Sequence, residues 1–390
     1  MKVMLVIHSY YPYVGGAEVF TRQVAENLAR RGDHVDLVTL KTEAGLSRLE
    51  TDNGVTIHRI GIRKICYLSF LLNLFRLVRY ILRLNKARDY DLLHSVGDGL
   101  PTYACTLIKK LKGKPHLITI QGGRVSAGFQ SDFAEKISRQ LTLWSFKNAD
   151  SVHVISQSLG QAARALGAKN PVVIPNGFDD KFFRPGNKKE LRGKYSFPLE
   201  ERIIVSVARL VPAKGIDCLI RAIGLVAPKF SNLRLLVIGE GEQRRELETL
   251  IEQLNLNHQV QLLGFRQPQQ ISDYLGLADM MVLSSRHEGL GIALIEAMAS
   301  GVPVIGSSVD GIPDLIQPER NGILVPPDDE EKLAEAIERL LQDQKLRDSF
   351  IREGLQKVRE KYPWSAILLR IDEVYAGLIQ GNKAMKAAGR

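Results

Sequence analysis

Short runs of Val, Ile and Leu alternate with amphipathic stretches along most of the chain, and this alternation restricts the fold more than any other feature. "VMLVIHS" is followed by a helical pattern over 17–31, "HVDLVTL" and later "YDLLHSV" bracket another over 67–84, and "HLITIQG" and "SVHVIS" come next. Continuous apolar strands between helices are buried on both faces, which marks a parallel sheet covered by helices. The pattern then restarts: "RIIVSVAR", helix 215–228, "LRLLVIGEG", helix 242–254, "VQLLGF", "MMVLSS", helix 292–300 and "PVIGSS". The expected fold class is α/β, with two Rossmann-like parallel-sheet domains, 1–185 and 186–362, facing a cleft. A length of 390 residues, too long for one ordinary core, agrees. Residues 178–200, rich in Pro, Gly and charge, read as the linker. The tail 363–390 carries a terminal helix over about 363–379; its pattern suits either domain, and packing back on the first is the expectation. In open α/β sheets ligands bind at the carboxyl ends of strands, so the loops after strands are where chemistry is sought.

A composition of 45% hydrophobic and 25% charged residues fits a soluble globular protein. Cys66, Cys105 and Cys218 are scattered, which argues against a disulfide framework or cysteine zinc site and favours a reducing cytoplasm. The apolar run Val3–Ile7 is too short for a signal peptide, and no segment reaches the ~20 apolar residues of a membrane span. The charge is unevenly shared. Residues 1–185 hold 26 Lys and Arg against 15 Asp and Glu, whereas the rest hold 27 against 28, so the whole excess points to an anionic partner of the first half.

Three clusters could carry chemistry. In "SSRHEGLGIALIEAMASG", Gly289 and Gly291 flank Leu290 where a strand gives way to a helix, and free N–H groups at a helix N-terminus suit a phosphate; a plain tight turn is the alternative. Glu288 and Glu296, eight residues apart, would be about 12 Å apart along a continuous helix. That far exceeds the ~5 Å of a retaining glycosidase pair, so they are expected to grip different parts of one ligand, with Glu296 suited to a ribose diol. In "SVARLVPAKGID", Arg209 and Lys214 follow a strand and can converge on a diphosphate, although by themselves they also read as solvated loop charges. In "HSYYPYVGGAEVF", Gly15 and Gly16 precede a helix and form a third potential anion site.

Other signals are weaker. "VIGEGEQR" has Arg244 where a dinucleotide fingerprint needs its third glycine. "DYD" (89–91) reads as a strand-entry cap rather than a metal site, and no structural metal is expected. His8, His94 and His153, in strands or at their ends, read as satisfied, partly buried residues. The segment 63–88 is apolar except for Arg76, Arg79 and Arg83 on one face and Arg63, Lys64, Lys86 and Arg88 at its ends. It suits either an interfacial helix on an anionic membrane or a domain helix with a solvated basic edge.

Together "YYPYVGGAE", "VIPNGFD", "ARLVPAKGID", "VIGEGEQRREL", "LLGF", "SSRHEGLGIALIEAMASGVPVI", "GIPDLI" and "NGILVPPDD" resemble, in order, the retaining glycosyltransferases of family four, which have the GT-B fold. The resemblance implies a nucleotide-sugar donor, UDP- or GDP-linked, held by the second domain, and a glycan or lipid-linked acceptor held by the first. Arg209 and Lys214 would neutralise the diphosphate, Glu288 would contact the donor sugar and Glu296 the ribose. The backbone of Gly289–Gly291 would lie along sugar and phosphate, Gly15 and Gly16 would close over the diphosphate, and Phe265 and Arg266 would meet the base. Neither metal nor cofactor is implied; the departing phosphate would help deprotonate the acceptor. The sequence departs from the pattern at Gln121, where many relatives carry a histidine, and at Leu290, usually phenylalanine. Gln121 cannot be a base and is left a hydrogen-bonding role toward donor sugar or acceptor.

The alternatives are a nucleotide-sugar 2-epimerase-like enzyme, for which the first-domain loops offer no acid/base pair, and a non-catalytic nucleotide-sugar-binding protein, which could dispense with Glu288. Nucleic acid is not expected, since the basic half lacks the aromatic interleaving of a recognised module. A cytoplasmic chain, peripheral on the inner face of the membrane, is the expected setting.

Overall fold

The computed structural model describes residues 1–13, 15–41, 45–61, 66–122, 125 and 133–388; Arg63 and Lys64 of the basic segment lie outside them. The chain divides into two compact units, Met1–Asn176 with Ser365–Arg390, and Gly177–Trp364.

In the first unit the apolar runs form β1 (Lys2–Ile7), β2 (His34–Lys41), β3 (Leu49–Asp52), β4 (Val55–Gly61), β5 (Leu92–Val96), β6 (His116–Ile120), β7 (Ser151–Val154) and β8 (Val172–Val173). They make one sheet in the order β3-β4-β2-β1-β5-β6-β7-β8. Only β3 runs antiparallel, as the hairpin partner of β4 at the edge. The second unit has six strands: β9 (Arg202–Val207), β10 (Leu233–Ile238), β11 (Val260–Gly264), β12 (Met280–Leu283), β13 (Val304–Ser307) and β14 (Ile323–Val325). Their order is β11-β10-β9-β12-β13-β14, all parallel. The order reverses between β1 and β5 in one sheet and between β9 and β12 in the other, and such switch points are where open α/β sheets take ligands.

The boundary differs from the sequence reading. Residues 177–185 belong with the second unit because Phe178 and Phe183 are buried there, the Phe178 N–H donates to Tyr362 O (3.0 Å), and the Ser272 hydroxyl donates to Phe182 O (2.5 Å). The expected linker also folds in. Its Lys188–Lys194 segment is a helix capped by Asn187, and the buried Arg192 donates to the carbonyls of Leu277, Leu199 and Glu201 and to Asp279. The terminal helix runs Trp364–Ala387, and all but its first residue belongs to the first unit.

That helix is held by a buried polar chain. Tyr375 Oη donates to His94 Nδ1 (2.6 Å), His94 Nε2 to Thr119 Oγ1 (2.6 Å), Thr119 Oγ1 to His153 Nδ1 (2.8 Å), and His153 Nε2 to the Ile174 carbonyl (2.7 Å). The order follows from its end, since a carbonyl can only accept, which fixes His153 as the Nε2–H tautomer and then each group in turn. Both rings are fully buried and therefore neutral: burial holds His94 well below its usual pKa and lowers His153 to about 4. The expected satisfied histidines are found at these two positions, whereas His8 is exposed at the end of β1.

The unfolded chain protonates its histidines near 6.5, whereas folded His153 resists protonation down to about 4, so between these values the unfolded state binds more protons. Above pH 6.5 these groups add no pH dependence, and below it stability falls. Urea denaturation at pH 7.5 and pH 5 is expected to show a loss of about 1–2 kcal/mol from His153, with His94 adding to it; an undiminished free energy of unfolding at pH 5 would contradict it.

Candidate active site

Adjacent strands β9 and β12 pair Ile204 with Met280, so the loops that follow them emerge side by side. The first ends in a single turn of 3₁₀ helix, Pro212–Lys214, before the helix Ile216–Val226; the second runs from Ser284 to the helix Ile292–Ala299. They cross in contact at Gly215, which adopts a left-handed conformation (φ 58°), and an added Cβ there would lie 2.2 Å from Ser284 O. Around the crossing the Ser284 hydroxyl donates to Gly215 O (2.8 Å), and the N–H groups of Arg286 and His287 both donate to Ala213 O (2.9 and 3.1 Å). The Arg286 guanidinium ties the same loops from the side, donating to Pro212 O (2.6 Å), to both oxygens of Asp217 (3.0 and 2.8 Å) and to Asp328 (2.6 Å).

This crossing brings together Lys214 and Glu288, which are 74 residues apart: Nζ lies 2.7 Å from Oε2, and both side chains are mostly buried. Asp310 holds the backbone of Glu288, accepting its N–H at 2.9 Å, while Gly311 N–H donates to Glu288 O. Arg209, at the end of β9, is exposed, and among the described residues no carboxylate pairs with it. Its loop is shaped by close approach, since a Cβ on Gly239 would sit 1.9 Å from Ala208 O and one on Gly241 2.2 Å from Leu210 O. That packing explains the glycines of "VIGEGEQR", which failed as a dinucleotide fingerprint.

The helix Ile292–Ala299 begins at Gly291, again left-handed (φ 91°), with no side-chain cap on its N-terminus, and Leu290 just ahead of it is buried. Glu288 lies ahead of this helix, and Glu296 lies one turn inside it. Glu296 is half-buried, and enclosure of its carboxyl by the protein pushes its pKa up to about 8. After β11, Phe265 is exposed and Arg266 donates to its carbonyl (2.9 Å).

In the first unit Gly15 is the extended N-cap of the helix Gly16–Arg30. The expected anion site there already holds a carboxylate: Glu18, in the first turn, accepts from Ser9 Oγ (2.8 Å), and a Cβ on Gly15 would lie 2.8 Å from its Oε2. A further anion gains less from a helix terminus so occupied. Gln121 exchanges amide hydrogen bonds with the buried Asn176 (3.1 and 2.5 Å), leaving it one free N–H and one acceptor lone pair. Among the described residues no group of three His, Cys, Asp or Glu is placed to hold a metal ion. Asp91 caps the first strand, accepting the Lys2 N–H, and Asp89 pairs with Lys114. The sequence reading missed Arg286, Asp217, Asp310 and Asn176 as site residues, although each lies in or beside a quoted motif; a polar residue within a few positions of a glycine was the available signal.

Two Rossmann-like parallel sheets, with cations and carboxylates gathered at a switch point, have the architecture of a GT-B glycosyltransferase. A model of glycosyl transferases group 1 matches residues 187–357, and one of glycosyltransferase family 4 matches residues 14–182. The chain is 29% identical over 386 residues to an uncharacterized glycosyltransferase of Methanocaldococcus jannaschii, covering 96% of this chain and 98% of that one. It is also 26% identical to a GDP-mannose-dependent alpha-mannosyltransferase of Mycobacterium tuberculosis, with 88% and 89% covered. Among solved structures, sucrose-phosphate synthase from Thermosynechococcus elongatus superposes with a TM-score of 0.86 at 26% identity over 98% of this chain and 100% of that chain. Anabaena HepE, solved in complex with UDP-glucose, gives 0.81 at 21% identity over 97% and 100%. The chain belongs to the family-four glycosyltransferases.

The crossing itself can be tested. Gly215→Ala adds a Cβ in contact with Ser284 O at a left-handed position, so urea denaturation is expected to show a loss of about 2 kcal/mol or more. Wild-type stability in that variant would contradict the geometry.

Proposed function

We propose that the chain moves a hexose from a UDP- or GDP-sugar to a hydroxyl of a glycan or lipid-linked acceptor, with retention of anomeric configuration and without a metal. The juxtaposition of Lys214 and Glu288 at the switch point carries this reading, because a diphosphate and the sugar it bears need a cation and a hydroxyl acceptor within one sugar's length. In this scheme Lys214 leaves Glu288 for the leaving diphosphate, joined by Arg209, and Glu288 takes the sugar hydroxyls. The backbone of Gly289–Gly291 and the uncapped helix behind it lie along sugar and phosphate, Glu296 accepts the ribose diol, and Phe265 with Arg266 meets the base. The free amide positions of Gln121 address the acceptor, while Gly15 and Gly16, whose helix terminus already holds the Glu18 carboxylate, are given no diphosphate role.

Positioning and leaving-group stabilisation are large catalytic terms that require no protein nucleophile, and the departing phosphate can take the acceptor proton. Two cations replace the charge neutralisation that a metal would bring. The relatives support a nucleotide-sugar donor without choosing its base, since HepE was solved with UDP-glucose and the mycobacterial relative is named for GDP-mannose. The basic excess of the first half favours an anionic acceptor, and a peripheral cytoplasmic position on an anionic membrane through the helix Cys66–Arg88; no helix among the described residues is long and apolar enough to cross one.

A thermal-shift screen against UDP-, GDP- and ADP-sugars is expected to find one donor that stabilises the fold. With that donor, Lys214→Ala and Glu288→Ala are each expected to lower turnover by about 10² or more, while EDTA leaves it unchanged. Wild-type-like transfer by both variants would sink the assignment of these roles.

A diol donates to a carboxylate, so donor binding requires ionised Glu296, and below its pKa of about 8 binding must expel a proton. Calorimetry at pH 7 in buffers of different ionisation enthalpy is expected to report proton release that disappears in Glu296→Gln; equal release by both proteins would rule out this linkage.

A further inference from the structure

The first unit carries a groove of about 1080 Å³ on the face of its sheet edge. Its walls come from separate parts of the chain: Arg48 at the start of the β3–β4 hairpin, Arg76, Arg79, Arg83 and Lys86 on the helix Cys66–Arg88, and Lys112 at the end of the helix Leu100–Lys112. The carboxylate lining it, Asp89, is held by Lys114 at 2.6 Å. A further cation on its wall, Arg59, is spent on Glu50 (2.6 Å) and on Tyr11 O (3.1 Å). The six cations named first have no carboxylate partner among the described residues.

Cations elsewhere are often neutralised: in the second unit Lys229 pairs with Glu338, Arg320 with Glu353, Arg339 with Glu319, and Arg244 with Glu240 and Glu248. The helix Cys66–Arg88 has five cations and no acid, and like charges three or four residues apart on one helix face are mutually repulsive. Its opposite face is firmly seated, with Leu77 and Ile81 buried in the core and the chain just beyond its end anchored by Tyr90 on the buried Asp36. The repulsion is therefore held in place by the fold, and an anion in the groove would relieve it.

The same helix face continues into exposed hydrocarbon. Leu71, Phe75, Arg79 and Arg83 follow one another at four-residue intervals, so the basic wall and the apolar side chains form one ridge. Leu71 and Phe75 are 63% and 62% exposed, with Leu72 beside them at 46%. Arg76 to Lys86 spans about 15 Å, enough for a headgroup contacted at more than one point. A nucleic acid would want aromatic platforms for bases, and among Leu71, Leu72 and Phe75 only Phe75 is one.

We propose that this groove binds the phosphomonoester headgroup of an anionic lipid, with Leu71, Leu72 and Phe75 inserted beside its acyl chains. The inference rests on the membrane reading of this helix and adds a selective site that takes Arg48 and Lys112 from outside it. Guanidinium groups chelate phosphate oxygens in pairs, and a dianionic phosphomonoester engages more of the six cations than a monoanionic phosphodiester does.

The test is co-sedimentation of the full chain with phosphatidylcholine vesicles containing either phosphatidic acid or phosphatidylglycerol, matched for total charge. The wild type is expected to bind the phosphatidic acid vesicles at least fivefold more tightly. Arg48→Gln with Lys112→Gln, off the helix, is expected to abolish that preference while keeping binding to phosphatidylglycerol, with an unchanged thermal unfolding midpoint showing that the variant is folded. Leu71→Ser, Leu72→Ser and Phe75→Ser together are expected to weaken binding to both vesicles. Equal binding by the wild type, or a preference that survives in the Arg48/Lys112 variant, overturns the headgroup site and leaves the membrane reading intact. Binding to neither vesicle overturns both. Stabilisation by millimolar glycerol 3-phosphate, with vesicle binding insensitive to the three serine substitutions, assigns the groove to a soluble phosphate and overturns the lipid.

Discussion

The candidate site depends on one close crossing. The loops after β9 and β12 touch where Gly215 meets Ser284, with no room for a Cβ on Gly215, and every candidate donor contact contributed by Lys214 or Glu288 is placed by that contact. Arg286 secures it through Pro212, Asp217 and Asp328 without pointing its own charge at a ligand. Its guanidinium is spent on structure, whereas Arg209 has no carboxylate partner among the described residues. Arg286 and Arg209 are both arginines in loops after strands, and their different surroundings separate a brace from a candidate ligand group.

Two buried polar groups of the chain are handled differently. In the first unit, strands carrying His94, Thr119 and His153 satisfy one another in a single directed chain that ends on a carbonyl, so this stretch of the interior stays neutral and the terminal helix is tied down by Tyr375. In the second, a carboxyl at Glu296 is enclosed without a neighbouring cation to lower its pKa, and the raised value is the cost of enclosing it. A protein interior tolerates a half-buried carboxylate of this kind where a polar ligand completes it.

Much of this was legible in the sequence. The repeated alternation of apolar runs and amphipathic stretches announced two parallel sheets, because doubly covered strands must be apolar throughout. The order of the glycine-containing motifs led to the family, and those motifs include the residues now found at the switch point. Other elements escaped notice. The edge strand β3, "LETD", has no apolar face to signal it, since it pairs only with β4 and is largely exposed. The segment read as a linker gained its helix from capping by Asn187 and from the burial of Arg192, a long-range contact with Leu277 and Asp279 that local composition does not reveal. The Gly15–Gly16 turn looked like an open anion site because the inward swing of Glu18 toward Ser9 is invisible in a string of letters.

The sequence by itself determined the fold class, the family and the chemical type of each candidate group, because periodicity and glycine placement are local properties that survive in one dimension. Tertiary structure decided which groups meet. Lys214 and Glu288 come within 2.7 Å only because β9 and β12 are neighbours in the sheet while 74 residues apart in the chain. The basic groove likewise exists because a hairpin, a helix and a helix end from three stretches of sequence share one edge. Strand order and loop crossing are set by packing across the whole unit, and no local pattern encodes them.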